Sequence, residues 1–256
     1  MFDVDATFVK TRPAGPTSFE YEAAGLDWLR AAGADAAAVV RVIQVTPTRL
    51  TLQQLDHTAT TEAAAADFGR RLARTHNAGA EAFGCPPQGW EGDGWIGAEP
   101  LPLVPEQSWG VFYARHRCRP YLERALARGA LTSADAGILE RVLTRIESGV
   151  FDDDAGPARI HGDLWAGNVL PTENGIVLID PAAHGGHRIT DLAMLYLFGA
   201  PRLETVLRGY EQESTQLPAN WRRLVPLHQI HPLLVHAAIF GGGYGARAAA
   251  AAQEYA

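Results

Sequence analysis

The stretch His161-Gly162-Asp163-Leu164-Trp165-Ala166-Gly167-Asn168, followed twelve positions later by Asp180, constrains this chain more than any other part of it. Two apolar runs, Val169-Leu170 and Ile176-Val177-Leu178-Ile179, flank Pro171-Thr172-Glu173-Asn174-Gly175. Apolar runs around Asn-Gly predict a β-hairpin, because both residues tolerate the left-handed backbone of tight turns. Folding that hairpin returns Asp180 to the side of Asn168. One oxygen from each can then bind one hard cation, and Mg²⁺ accepts such ligands while keeping waters and phosphate oxygens. Asp163 lies five residues before Asn168, the separation of base and metal ligand in phosphoryl-transfer loops. Asp, Gly and Asn are also ordinary turn residues. The agreement of three spacings carries the reading, not His-Gly-Asp alone.

A second pair of residues points the same way. Thr17 and Glu20 form a capping-box pair opening a helix that runs to about Ala32 and stops at Gly33. On it, Phe19, Leu26 and Leu29 make an apolar stripe, and Glu22 lies in register with them. A carboxylate on such a stripe is costly unless paired. The nearest cation in the preceding strand, residues 6–11, is Lys10.

The 256 residues suffice for one large domain or two tightly joined lobes. A formal charge of -7 without a basic tract argues against general nucleic-acid binding. Two cysteines, Cys85 and Cys118, make no disulfide framework and suit a reducing cytosol. No apolar run approaches the ~20 residues of a membrane span, and no apolar signal core is present. The expectation is a soluble, cytoplasmic, monomeric protein. Val39–Val45 and Leu50–Leu55 read as a second hairpin around Thr46-Pro47-Thr48. Glu62–His76 reads as an amphipathic helix, residues 84–108 as irregular. Further helices are expected near 108–128, 133–148, 190–198, 201–214 and 221–240, and the Ala run at 248–252 as the end of a terminal helix.

The loop wording HGDLWAGN closely resembles the signature of the fructosamine kinase (ketosamine-3-kinase) family, which shares the protein-kinase-like fold with aminoglycoside and choline kinases. Phe8-Val9-Lys10-Thr11 looks like that family's lysine strand, and Phe19 to Leu26 like the start of its first helix. Leu72-Ala73-Arg74-Thr75-His76, Phe83-Gly84, Ile96-Gly97 and Asp180-Pro181-Ala182 also stand in the family's order, so the resemblance covers nearly the whole chain. It implies an α+β, bilobal fold: a small β-rich lobe with one helix over residues 1–57, on the nucleotide side, and a mostly helical lobe over 58–256 with the substrate pocket.

The implied co-substrate is ATP with Mg²⁺. Asp163 would be the base, Asn168 and Asp180 the metal ligands, Lys10 the anchor of the nucleotide phosphates and Glu22 its orienting partner. Leu52-Gln53-Gln54-Leu55 matches the family's adenine-binding hinge, with Gln53 in place of the more usual acidic residue. Asp191 resembles a residue that braces the catalytic loop. The implied acceptor is a ketosamine, free or protein-bound, phosphorylated on its sugar 3-hydroxyl; the adduct is unstable, which associates the family with deglycation. An aminoglycoside- or choline-type kinase and a non-catalytic nucleotide or sugar binder are the alternatives. The last is motivated by the N-terminus. Relatives carry two strands and a glycine-rich loop before the lysine strand, whereas nine residues, none of them Gly, precede Lys10. Either the nucleotide lid is abbreviated, or the start is truncated, or ATP is no longer turned over.

Trp165 has two readings, a stacking platform for a sugar or cation and a core residue locking the loop. His184 and His187 follow Asp180 closely and are expected to face the substrate mouth. They and His228, His231 and His236 lack the companions of a zinc motif. Gly241 to Gly245 reads as a break between two helices, Arg115 to Arg119 as a solvated helix face, and Trp90 and Trp95 as pocket-lining or loop-pinning residues.

Overall fold

The computed structural model describes residues 6–12 and 18–256. The order begins β1 (Thr7–Thr11), α1 (Phe19–Arg30), β2 (Ala38–Val39), β3 (Val42–Thr46) and β4 (Arg49–Gln53). β4 is the middle of a small antiparallel sheet between β1 and β3, with Lys10 opposite Leu50. Leu50 and Leu52 pack on Phe19, Ala23 and Leu26 of α1, so the apolar stripe predicted for that helix is its buried face. Ser18 caps α1, its Oγ accepting from Tyr21 N at 3.1 Å; Thr17, read from sequence as the cap, lies outside the described residues.

The expected continuous strand Val39–Val45 is cut in two. Val40 N donates to Leu178 O, while Arg41 O accepts from Gln53 N. The chain changes partner between these adjacent residues.

The larger part begins with α2 (Glu62–Asn77), capped by Thr61. A short hairpin, β5 (Gly94–Ile96) with β6 (Glu99–Leu101), interrupts the stretch expected to be irregular. The helix expected over 108–128 is α3 (Trp109–Phe112), a π-helical segment Tyr113–Cys118, and α4 (Arg119–Ala127). The π turn moves later residues off the 3.6-residue period. Arg117, expected on a solvated face, is only 1% exposed. Then come α5 (Ser133–Glu147), β7 (Ala158–Ile160), β8 (Val169–Thr172), β9 (Gly175–Leu178) and β10 (His184–Gly186). β8 and β9 form the predicted hairpin, and β2 joins β9 in parallel, Ala38 opposite Val177. β10 pairs with β7. The chain ends with α6 (Arg188–Phe198), α7 (Leu203–Glu213), α8 (Val225–Phe240) and α9 (Tyr244–Gln253). Gly241, at φ 67°, ends α8 where the glycine run was read as a break.

One apolar core lies among α3, α4, α5, α8 and α9. A second lies among α2, α6, α7 and the underside of the β8–β9 hairpin, through Leu164, Ile176 and Leu178. The loop carrying Asp163 is thus anchored from below by a packed core.

Candidate active site

The Asp163 loop begins where β7 ends, and α6 fixes it. Asp191, in the first turn of α6 and 1% exposed, accepts from His161 N at 2.7 Å and Gly162 N at 2.9 Å. His76 of α2 reaches the same carboxylate through Nε2 at 3.1 Å, and its Nδ1 meets Tyr210 Oη at 2.7 Å. Burial pushes Asp191 up, but the bond from His76, the neighbouring His76 and His161 rings and the His161 backbone donor prevail and hold it below the usual carboxylate range. Gly162 has φ +81°, and a Cβ there would lie 2.1 Å from Ala182 O. Only glycine lets the loop cross beneath the segment after Asp180. His161 ties the two together. Its Nδ1 accepts from Asp163 N at 3.2 Å, so Nε2 carries the proton and donates to Ile179 O at 2.8 Å.

The hairpin closes as its sequence requires. Ile179 N donates to Asn168 O at 3.1 Å, which sets Asp180 beside Asn168. Asp180 sits at φ 53°, a left-handed conformation that a non-glycine residue adopts at a cost of ~1 kcal/mol. Asn168 is buried; its Nδ2 donates to Asp163 O at 2.8 Å and to Asp163 Oδ2 at 3.1 Å. This orientation leaves its Oδ1 as the group able to bind a cation.

Lys10 Nζ donates to Glu22 Oε1 at 2.8 Å and to Asp180 Oδ1 at 2.5 Å. Burial disfavours the ammonium, yet the two carboxylates outweigh it and the Lys10 pKa stands above its ordinary value. Glu22 is pushed up by burial, against the pull of Lys10 and with the added repulsion of Asp180. Asp163 is raised to about 7, chiefly by burial, with the Asn168 bond opposing and Asp191 and Asp180 adding repulsion. Three carboxyl groups, Glu22, Asp163 and Asp180, meet two cations here, Lys10 and Arg12, and a further cation would favour the ionised forms.

Two cavities meet at this point. One of about 300 Å³ is lined by Asp163, Trp165, Asn168, Asp180, Trp95 and Arg12. The other, about 290 Å³, has Val40, Leu52, Leu55, Leu170 and Ile179 as apolar walls and Lys10 and Asp180 as charged ones. Gln53 and Gln54 lie on its rim, and their N–H groups are already engaged, by Arg41 O and Ala6 O.

Asp163, Asn168, Asp180, Lys10 and Glu22 are therefore brought together, with Leu52, Gln53 and Gln54 at the adjoining cavity. Trp165 is outside the core, 42% exposed, with its edge toward Phe198. Trp95 lines the first cavity. His184 and His187 do not face it. Both are 3% exposed. His184 donates from Nδ1 to Ala182 O at 2.8 Å and accepts from Arg117 Nε at 3.3 Å. His187 caps α6 and contacts Asp153. Their rings pack at tilted angles against Phe112, Trp109 and His228, and burial beside Arg117 holds His184 well below the ordinary histidine value. Sequence reasoning missed Arg117, because the π turn that buries it has no local signature. It also missed Arg12, whose guanidinium lies 3.9 Å over the Phe19 ring at the cavity wall; only its nearness to Lys10 could have marked it.

The fructosamine kinase family model matches residues 3–255. The chain belongs to the fructosamine kinase family. A probable ketoamine kinase of Synechocystis sp. is 35% identical over 178 residues, which is 69% of this chain and 57% of that relative. The chain thus spans less than three-fifths of the length of that relative. A crystal structure named as a candidate fructosamine-3-kinase, from Thermobifida fusca, superposes with a TM-score of 0.88 at 45% identity, covering 96% of this chain and 84% of that one. A choline kinase from Streptococcus pneumoniae shares the fold, with a TM-score of 0.61 at 15% identity over 97% of this chain and 84% of that one. The family fold is protein-kinase-like, as the resemblance implied. No helix among the described residues is long and apolar enough to cross a membrane.

Proposed function

We propose that this protein is an ATP-dependent kinase that phosphorylates the sugar 3-hydroxyl of a ketosamine. The observation that carries the reading is that two cavities share Asp180, one lined also by Asp163 and Asn168 and the other by Lys10, with which Asp180 pairs. The apolar cavity suits a purine, and the 300 Å³ cavity suits a sugar with part of its amine. Lys10, held by Glu22, would bind the nucleotide phosphates. With a division into lobes at about residue 57, the nucleotide would lie between them.

The oxygen-only donor set of Asn168 Oδ1 and the Asp180 carboxylate fits Mg²⁺. No group of three or more His, Cys, Asp or Glu poised for a metal exists among the described residues, so phosphate and water would complete the coordination. Bound there, Mg²⁺ would neutralise charge on the phosphate oxygens. Asp163 would accept the proton of the sugar hydroxyl, and Asn168 Nδ2 would orient that carboxylate. Most of the rate would come from positioning, because the phosphoryl transition state is loose. Trp165 would stack on the sugar. The free, buried Cys85 and Cys118 agree with a reducing, cytoplasmic compartment. The ketosamine can be a small molecule or borne on a protein lysine, and neither nucleic acid nor membrane is needed as a partner.

The test is phosphorus NMR of an N-alkyl fructosamine incubated with protein, ATP and Mg²⁺. A new sugar 3-phosphate resonance is expected. Phosphate on choline or an aminoglycoside but not on the fructosamine would refute the acceptor, and ADP formation with none of them would refute the kinase reading.

The pKa of Asp163 gives a further expectation. Only the carboxylate form can take a proton, and burial raises the value to about 7. In free enzyme, kcat/KM should therefore fall about tenfold per pH unit below 7 and level off above it. With the cation and nucleotide bound, the limb in kcat should shift to lower pH, since positive charge favours the carboxylate. A pH–rate profile checks this; a flat kcat/KM from pH 5.5 to 8 would contradict it.

A further inference from the structure

We infer that the acceptor cavity continues outward as an aromatic ledge that binds the amine-borne part of the substrate, and that it selects ketosamines of large apolar or aromatic amines. The inference rests on the ketosamine reading above and specifies it. The ledge begins at Trp165, which lines the cavity, and runs along ring contacts. Trp165 meets Phe198, the last residue of α6, edge-on at 6.5 Å between centroids. Phe198 meets His236 of α8 at 4.7 Å, and His236 meets Phe240 at 5.5 Å and Tyr244 of α9 at 5.1 Å. Across the cavity mouth, a Cβ on Gly97 would sit 3.4 Å from Ile239 Cδ1. The end of α8 therefore approaches Gly97, which lines the cavity with Trp95.

Phe240 is 68% exposed and Trp165 42% exposed, both among the most exposed large apolar side chains described. A ring at the C-terminal residue of α8, with Gly241 turning the chain immediately after it, is supported from one side only. Solitary exposed apolar residues need no explanation, but an exposed aromatic series leading into a reaction cavity does. Burial lowers the pKa of His236, against the bond that its Nδ1 donates to Pro232 O at 2.8 Å. Beyond His236, the Arg247 guanidinium lies 5.6 Å over the Tyr244 ring.

A ketosamine has a hydroxyl-rich end and an amine-borne end. With the sugar hydroxyl at Asp163, the sugar occupies the polar floor of the cavity. The amine substituent must leave the cavity, and the ring series that starts at Trp165 offers it an apolar course. A methyl substituent is too small to reach that series. A phenylethyl substituent carries a ring that can join the series beyond Trp165.

The experiment is calorimetry with two fructosamines, one of methylamine and one of phenylethylamine, on the wild-type protein and on Phe240→Ala and Phe198→Ala. The aromatic compound is expected to bind wild-type protein on the order of tenfold more tightly, the gain from burying one ring in part. In either variant the ratio should fall toward one while methyl-compound affinity stays unchanged, which also shows that the variant is folded. Equal affinities in wild-type protein, failure of either compound to bind, or a ratio untouched by both substitutions would overturn the ledge. Binding with the predicted ratio but without phosphorylation would leave the ledge standing and refute the kinase reading instead.

Discussion

Asp163→Asn is expected to lower kcat by about 10³-fold, equivalent to ~4 kcal/mol of transition-state stabilisation, with little change in nucleotide affinity. The asparagine keeps the size of the side chain and can still pair with Asn168. It cannot take the hydroxyl proton. Because the native carboxyl is already costly to ionise, with its pKa raised to about 7, its neutral replacement should not destabilise the fold and should remove the acid limb from the pH profile. Steady-state kinetics with a coupled ADP assay, alongside a thermal melt, checks both halves. A variant with more than a tenth of wild-type kcat would show that Asp163 is not the base. A variant that melts far below wild type would show that the residue is structural.

Asp191→Ala is expected to cost ~3 kcal/mol of stability, or about 10 °C in Tm for a chain this long. The native carboxylate satisfies two buried backbone donors, from His161 and Gly162, and the buried His76. Alanine leaves all three without an acceptor where water is excluded. Asp191→Asn keeps the shape and one acceptor oxygen and should lose less. The pH dependence follows in sign. The pKa of Asp191 is depressed in the folded state, so its stabilisation is complete above the ordinary carboxylate range and disappears as pH falls through the folded value. The difference between wild-type and alanine variant should thus shrink in acid. Calorimetric melts at pH 7 and at pH 3 test this, and an undiminished difference at pH 3 would contradict it.

The parts of the fold that were legible in the sequence are those set by local chemistry. The β8–β9 hairpin followed from apolar runs around Asn174-Gly175, and its closure placed Asp180 beside Asn168. The Lys10–Glu22 pair followed from one carboxylate on an apolar helical stripe. The illegible parts depend on distant partners. β2 joins β9 in parallel across more than a hundred residues, and two residues carry no alternation that could announce it. The β5–β6 hairpin turns at Gly97-Ala98, within a Gly- and Trp-rich stretch without strand periodicity. His184 and His187 looked like mouth residues because they follow Asp180 closely. Tertiary packing decides otherwise, since pairing of β10 with β7 carries His184 under the loop and into an aromatic cluster. The same packing turns Arg117 inward to meet it.

The central claim is that Lys10, Asn168 and Asp180 converge to hold a divalent cation with nucleotide phosphates. Titration of Mg-ATP into wild-type protein and Asp180→Ala, with and without Mg²⁺, tests it most directly. Saturable binding that weakens at least ~30-fold when either Mg²⁺ or the Asp180 carboxylate is removed is the predicted result. Absence of binding at millimolar nucleotide, or affinity indifferent to both removals, would contradict it.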